Sequence, residues 1–334
     1  MMSRLAILLG DPSGVGPEMG CKLLADAGVP GVPGVREAAE LLLIADPAAL
    51  ASGSRIAGVE LPLARVQTPD APIPPGRIGW LAYDALGGAA PALGTSNPAS
   101  GACAMRSLEI ATDAVTSGAV QGIVFAPFNK HSLRLGGLDE EDELRWMAQR
   151  WRVPGFVCEF NITGALWTSR VTSHVPLREV ADLIDERTIG DAVRIIDSAL
   201  KQAGVQKPRI AVSGLNPHAG DGGSIGQEEI DVIEPAVKAL QRAGLDARGP
   251  YSPDTVFIAA RRGDYDAVVS MYHDQGQIAM KLMGFESGVT LHGGLPVPVA
   301  TPASGSAFDI AGRGVARVEG LRAAFDLCAR MARG

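Results

Sequence analysis

Short apolar runs alternate with helix-length stretches through most of the chain. Six runs have strand length: LAILLG (5–10), ELLLIAD (40–46), QGIVFAP (121–127), TSRVTSH (168–174), RIAVSGLN (209–216) and YDAVVSMYH (265–273). Several are continuously apolar, the pattern of strands covered on both faces of a parallel sheet. Between them, 101–118, 177–184, 189–204 and 228–244 predict helices. The last three carry apolar residues at helical spacing, and the final two run into Gly204 and Gly244, which suits a helix end. The segment 316–334 predicts a closing helix, and 66–98, rich in Pro and Gly, predicts irregular structure. Strand–helix alternation of this kind implies βαβ units and an α/β fold.

The 334 residues suggest two domains at roughly 150 residues each. Hydrophobic residues make up 46% and charged residues 20%, a globular balance. Aromatics at 5% and a net charge of −7 argue against a nucleic-acid surface. Cys21, Cys103, Cys158 and Cys328 are scattered, with no C-x-x-C pair, as reduced cytoplasmic thiols would be. The apolar run Leu5 to Leu9 stops at Gly10-Asp11-Pro12, too early for a signal peptide, and it reads as a buried strand. No apolar run approaches the roughly 20 residues of a membrane span. The expectation is a cytoplasmic protein with no membrane or nucleic-acid partner.

Three of the five histidines fall at or just after strand-like runs: His174 closes TSRVTSH, His218 follows RIAVSGLN, and His273 closes YDAVVSMYH. Ligands of open α/β sheets bind outside the carboxyl ends of the strands. Three imidazoles delivered there suit one divalent metal, zinc or another first-row ion, with a position left open for substrate. Taken singly, each histidine reads as an ordinary polar loop residue. The joint placement carries the metal reading, and it permits a metal-dependent hydrolase or lyase as well as other chemistry. His131 and His292 are read as non-ligands.

Gly10-Asp-Pro-Ser-Gly-Val-Gly-Pro-Glu18 joins a strand to a helix, with Pro17 and Glu18 suited to the first turn. After Gly14-Val15-Gly16 the next glycine is Gly20, one residue late for the dinucleotide fingerprint, and no P-loop lysine follows. Two further glycine clusters, 219–226 beside His218 and 311–314 around Arg313, are candidate ligand loops.

Seven motifs, in order, carry a resemblance: Gly10 to Glu18, Ala126-Pro-Phe-Asn-Lys130, Ser173-His-Val-Pro-Leu177, Asn216-Pro-His-Ala-Gly220, Pro253-Asp-Thr-Val-Phe257, Tyr272-His-Asp-Gln-Gly276 and Ala307-Phe-Asp-Ile-Ala-Gly-Arg-Gly314. Together they resemble the 4-hydroxythreonine-4-phosphate dehydrogenase family of vitamin B6 biosynthesis, over nearly the whole chain. The resemblance implies an isopropylmalate-dehydrogenase-like, two-lobed α/β/α sandwich with a cleft between lobes. Residues 1–128 with 290–334 would form the first lobe, and 129–289 the second, carrying metal ligands and dimer contacts. It implies a homodimer, NAD or NADP, and a divalent metal (Zn, Mg, Mn or Co) on His174, His218 and, across the interface, His273. It further implies oxidation of a secondary alcohol followed by decarboxylation of the β-keto acid.

Residue by residue, the resemblance makes Lys281, Asp254 and Asp274 the catalytic candidates. The substrate candidates are Lys130, Glu141, Asp142, Lys281 and Thr290, and the cofactor candidates are Gly14, Gly220, Gly223, Asp309 and Arg313. Residue types alone leave Asp254 open to helix capping and Asp274 open to a turn or to orienting a histidine. The chain departs from the family where phosphate is held. Glu140 to Glu143 replaces Gly-His-Thr-Glu, and the phosphate-contacting Asn and Arg fall on Thr290 and Val299. A phosphate needs positive charge and donors. A branch of the family that acts on unphosphorylated cis-dihydrodiols, such as that from terephthalate, shares the missing arginine and is the alternative.

Overall fold

The computed structural model describes residues 2–29, 32–284 and 287–333. Contacts divide the chain into two compact units, Met1–Val153 with Leu295–Gly334, and Pro154–Gly294. In the first, six strands pair in parallel in the order Val299–Pro302, Gly122–Phe125, Arg4–Leu8, Glu40–Ala45, Ile78–Ala82, Leu63–Val66. Leu5 to Leu8 and Leu41 to Ile44 are fully buried, as their unbroken apolar runs require of a sheet covered on both faces. Asx-Pro pairs start two helices. Asp46 caps Pro47–Ala57 through Ala48 N, 2.8 Å, and Asn97 caps Pro98–Thr116 through Ser100 N, 2.9 Å.

The structure corrects the sequence expectation in three places. The stretch 66–98 is not wholly irregular, because Ile78–Ala82 is a strand beside Glu40–Ala45, its Ile78 fully buried. Residues 129–153, assigned above to the second lobe, pack in the first unit. There Leu133, Trp146 and Met147 join its core, and Gly101 lets Pro98–Thr116 lie against the backbone of Ser132 and Gly136. Residues 290–294 belong with the second unit, because Val289–Gly293 pairs antiparallel with Cys158–Thr163.

In the second unit the strands Asp246–Tyr251, Arg209–Ser213, Ala267–Ser270 and Leu166–Arg170 are parallel. Cys158–Thr163 then folds back on Leu166–Arg170 as a hairpin. Gly164 supplies the positive φ, +59°, that its turn needs. This hairpin eludes the apolar pattern because Glu159 and Asn161 alternate with buried residues. The parallel strands end at Arg170, Ser213 and Ser270, and the chain leaves all three at the same, carboxyl edge.

Candidate functional site

At that edge two post-strand segments run side by side. Val171 N donates to Ser270 O, 2.9 Å, and Thr172 N to Met271 O, 3.1 Å. Two residues beyond this pairing, the rings of His174 and His273 lie 5.7 Å apart between centroids, tilted by 44°. They line a cavity of ≈ 350 Å³ with Ser173, Val175, Tyr272 and Asp274 among its walls. His273 opens the helix His273–Gly284 and does not end a strand. Its Nδ1 lies 2.7 Å from the Asp274 carboxylate. With Nδ1 held as the protonated nitrogen, Nε2 presents a lone pair, the arrangement in which a carboxylate orients a metal-binding imidazole.

His218 sits elsewhere on the edge. From His218 to Gly222 five consecutive residues have φ between 46° and 78°, a left-handed turn. For the three that are not glycine, His218, Ala219 and Asp221, this costs about 1–2 kcal/mol each. The buried Glu229 carboxylate offsets it, accepting from Leu215 N and Asn216 N, each 2.7 Å, and from Asn216 Nδ2, 2.9 Å. Hydrogen bonds to a charged acceptor contribute about 1.5–3 kcal/mol each, enough to hold the turn. Gly220 is forced here, since a Cβ would stand 2.7 Å from Glu229 Oε2. The exposed His218 ring is not among the residues lining the His174–His273 cavity. Gln275 links the two places: its side chain accepts from Met271 N, 2.8 Å, and donates to Gly214 O, 3.0 Å.

Lys281 is exposed, two turns along the helix that His273 opens. Asp254 is exposed and accepts from Ser252 Oγ, 2.6 Å, and the following helix has no side-chain cap. Thr290 is buried on its strand, 3.4 Å from Asn161 Nδ2. In the first unit Asp142 is fully buried as the N-cap of Glu143–Arg150, and Arg145 pairs with both Asp142 and Glu141. Lys130 is exposed at the first position of Lys130–Leu135.

At Gly14 the place of a Cβ is filled by Ser306 O at 2.6 Å, and Val15 N donates to the same carbonyl. This turn is thereby tied to the segment bearing Asp309 and Arg313, both exposed, while Gly220 and Gly223 belong to the second unit. Arg313 stands between Gly312 (φ +83°) and Gly314 (φ +74°), an exposed guanidinium on a glycine turn, which suits a diphosphate.

Two groups of residues escape the sequence. Beneath the first glycine turn, buried Asp11 accepts from Ser13 N, 2.8 Å, and Ser13 Oγ meets Ser100 Oγ at 2.6 Å and Asn97 Nδ2 at 3.0 Å. Burial pushes the Asp11 carboxyl up from its ordinary value, against the hydrogen bond from Ser13 N. The Gly10 to Glu18 motif holds Asp11 and Ser13, and the Asn97-Pro98 pair hints at the partners that meet them. Behind the histidine pair, Arg170 and its partners form a second buried network, and no local signal marks it.

The curated proteins and solved structures place this architecture. The chain is 48% identical, over 99% of its length and 98% of the other's, to a Pseudomonas aeruginosa protein provisionally named 4-hydroxythreonine-4-phosphate dehydrogenase 2. It superposes on a 4-hydroxythreonine-4-phosphate dehydrogenase from Klebsiella pneumoniae with a TM-score of 0.83 at 33% identity, covering 100% of this chain and 99% of that one. A terephthalate 1,2-cis-dihydrodiol dehydrogenase from Burkholderia xenovorans is similar at a TM-score of 0.65 and 26% identity, covering 96% and 95%. Fold and likeness together define an enzyme of the dehydrogenase class. The family model for the pyridoxal phosphate biosynthetic protein PdxA matches residues 37–328, and the chain belongs to that family. Among the described residues, no helix is long and apolar enough to cross a membrane.

Proposed function

We propose that this chain is a metal-assisted, nicotinamide-dependent dehydrogenase. On this reading it oxidises a secondary alcohol and releases carbon dioxide from the resulting β-keto acid. The observation that carries the reading is the facing pair His174 and His273 at the carboxyl edge of four parallel strands, with Asp274 on His273 Nδ1. Two imidazoles beside a cavity are a donor set that fits a borderline divalent ion, with His218 the third donor on the same edge. A divalent ion held there would supply Lewis acidity to a substrate hydroxyl and to the enolate left by decarboxylation. Asp274 holds His273 in one tautomer, and Lys281 and Asp254 meet the substrate's polar groups. Asp309 and Arg313, on their glycine turn, hold the nicotinamide cofactor, NAD or NADP.

A substrate phosphate, as in the names of the relatives, finds little at two positions. Thr290 is engaged with Asn161, and Val299 is fully buried in a strand. This favours an unphosphorylated hydroxy acid, such as a cis-dihydrodiol carboxylate, as the second reading. The test is a turnover screen followed at the nicotinamide absorbance band. It sets 4-hydroxythreonine-4-phosphate against dihydrodiol carboxylates, with NAD and NADP, before and after chelation. Metal-dependent reduction lost in His218→Ala supports the proposal, and normal turnover of that variant contradicts it.

The proposal includes a homodimer with shared sites. If ligands from different copies meet, mixing His218→Ala with His273→Ala restores activity, because one site of the heterodimer carries both defects and the other neither. Verified heterodimers without recovery would place all ligands of a site in one chain.

A further inference from the structure

We propose that Arg170 is a positioning residue that sets the separation of the His174 and His273 rings. The inference rests on the reading that these rings bind a cation. Arg170 is 4% exposed, at the last position of the strand Leu166–Arg170. All three of its guanidinium nitrogens are engaged. Nε donates to Ser173 Oγ, 2.8 Å, Nη1 to Asn161 Oδ1, 3.0 Å, and Nη2 to Glu159 Oε2, 2.9 Å. A charge this deeply buried needs its partner, and Glu159, on the neighbouring antiparallel strand, neutralises it.

The bonds lead to the two histidines by separate routes. Ser173 is the residue before His174 and lines the same cavity. Asn161 Oδ1, which Arg170 holds, also accepts from Gln277 Nε2 at 2.6 Å. Gln277 lies four residues after His273, on the same face of its helix, one turn on. One planar fork therefore fixes the loop that carries His174 and, through a shared oxygen, the helix that begins with His273. Backbone pairing at Val171 and Thr172 aligns the segments, and Gln275 anchors the first turn of the helix to Met271 N and Gly214 O. The Arg170 network adds a hold on the loop at Ser173 and on the next turn of the helix at Gln277. Lysine cannot replace it, because one ammonium does not span three acceptors in a plane.

The test compares Arg170→Lys and the charge-balanced double variant Arg170→Met/Glu159→Gln with the wild-type full chain, without metal and then with zinc. Three readouts are taken: melting temperature, the nuclear Overhauser cross-peak between the two histidine rings in metal-free protein, and zinc affinity by calorimetry. The expected result is a folded protein whose inter-ring cross-peak is lost or weakened, with zinc binding reduced about 10–100-fold, the range for residues that orient metal ligands. A double variant that keeps the wild-type cross-peak and zinc affinity overturns the proposal, whatever its melting temperature. If the double variant does not fold, Gln277→Leu, which cuts only the link to the His273 helix, must show the weakened cross-peak, and an unchanged one overturns the proposal. Equal zinc affinity in wild type and His174→Ala would sink the cation reading alone, because the metal-free cross-peak still decides the role of Arg170.

Discussion

Two glycine-rich turns, 10–18 in the first unit and 216–226 in the second, are built on opposite principles. In the first, glycines are required because the chain packs on itself. A Cβ at Gly10 would stand 2.4 Å from Ala126 O, one at Gly14 2.6 Å from Ser306 O, and one at Gly16 2.2 Å from Leu9 O. In the second, Gly222 has open space around it, and three non-glycine residues adopt the left-handed conformation. What anchors the turn is the Glu229 carboxylate, which accepts from the two backbone N–H groups just before it, Leu215 and Asn216. The first turn is stable because nothing else fits. The second is held under strain, and the strained residue is the proposed ligand His218. Strain at one residue is a pointer to function.

Four substitutions break or sharpen this contrast. Gly16→Ala should have the largest effect, a loss of about 1–3 kcal/mol by overpacking against backbone that cannot move aside, read as a fall in denaturation midpoint. Unchanged stability would show that the first turn is not packing-limited. Glu229→Gln should lower zinc affinity about 10–100-fold with a smaller effect on melting, since it releases the His218 turn and leaves both cores intact. Ala219→Gly should stabilise by about 0.5–1 kcal/mol, the relief of left-handed strain less the entropy of glycine; destabilisation would mean the turn is not strained.

Asp11→Asn should show the smallest effect, visible only against pH. Burial raises the folded-state pKa of Asp11 above its ordinary value. Its protonated form is thus the one the fold favours, and the stability it contributes at low pH is lost as pH rises through that raised value. Asparagine cannot ionise, so the variant should gain on wild type as pH climbs from the acid range to neutral. A melting-temperature difference that is flat with pH contradicts the assignment.

Much of this architecture was legible in the sequence. The apolar runs at 5–10, 40–46, 121–127, 209–216 and 265–273 each contain a buried strand, because burial on both faces leaves no polar position to disguise it. The placing of three histidines at one sheet edge followed from the same pattern. What stayed hidden depends on long-range pairing. Cys158–Thr163 and Val289–Gly293 are antiparallel strands whose polar residues face a network that forms only when they meet. Glu229 and Arg170 act through partners that no local spacing connects to them. Asp142 matched a substrate position by motif order, and its cap on the following helix and its pairing with Arg145 appear only in the structure. The run TSRVTSH ends as a strand at Arg170, which leaves His174 on a loop, where its ring faces His273.

The central claim is a divalent cation held by histidines at the carboxyl edge of the second unit. Anomalous diffraction at the zinc edge, from crystals soaked with zinc, tests it most directly. The account predicts one strong peak about 2.0–2.1 Å from ring nitrogens of His174 and His273, with His218 of the same or a neighbouring copy completing the set. An edge with no anomalous density, or zinc bound only away from these three rings, would contradict it.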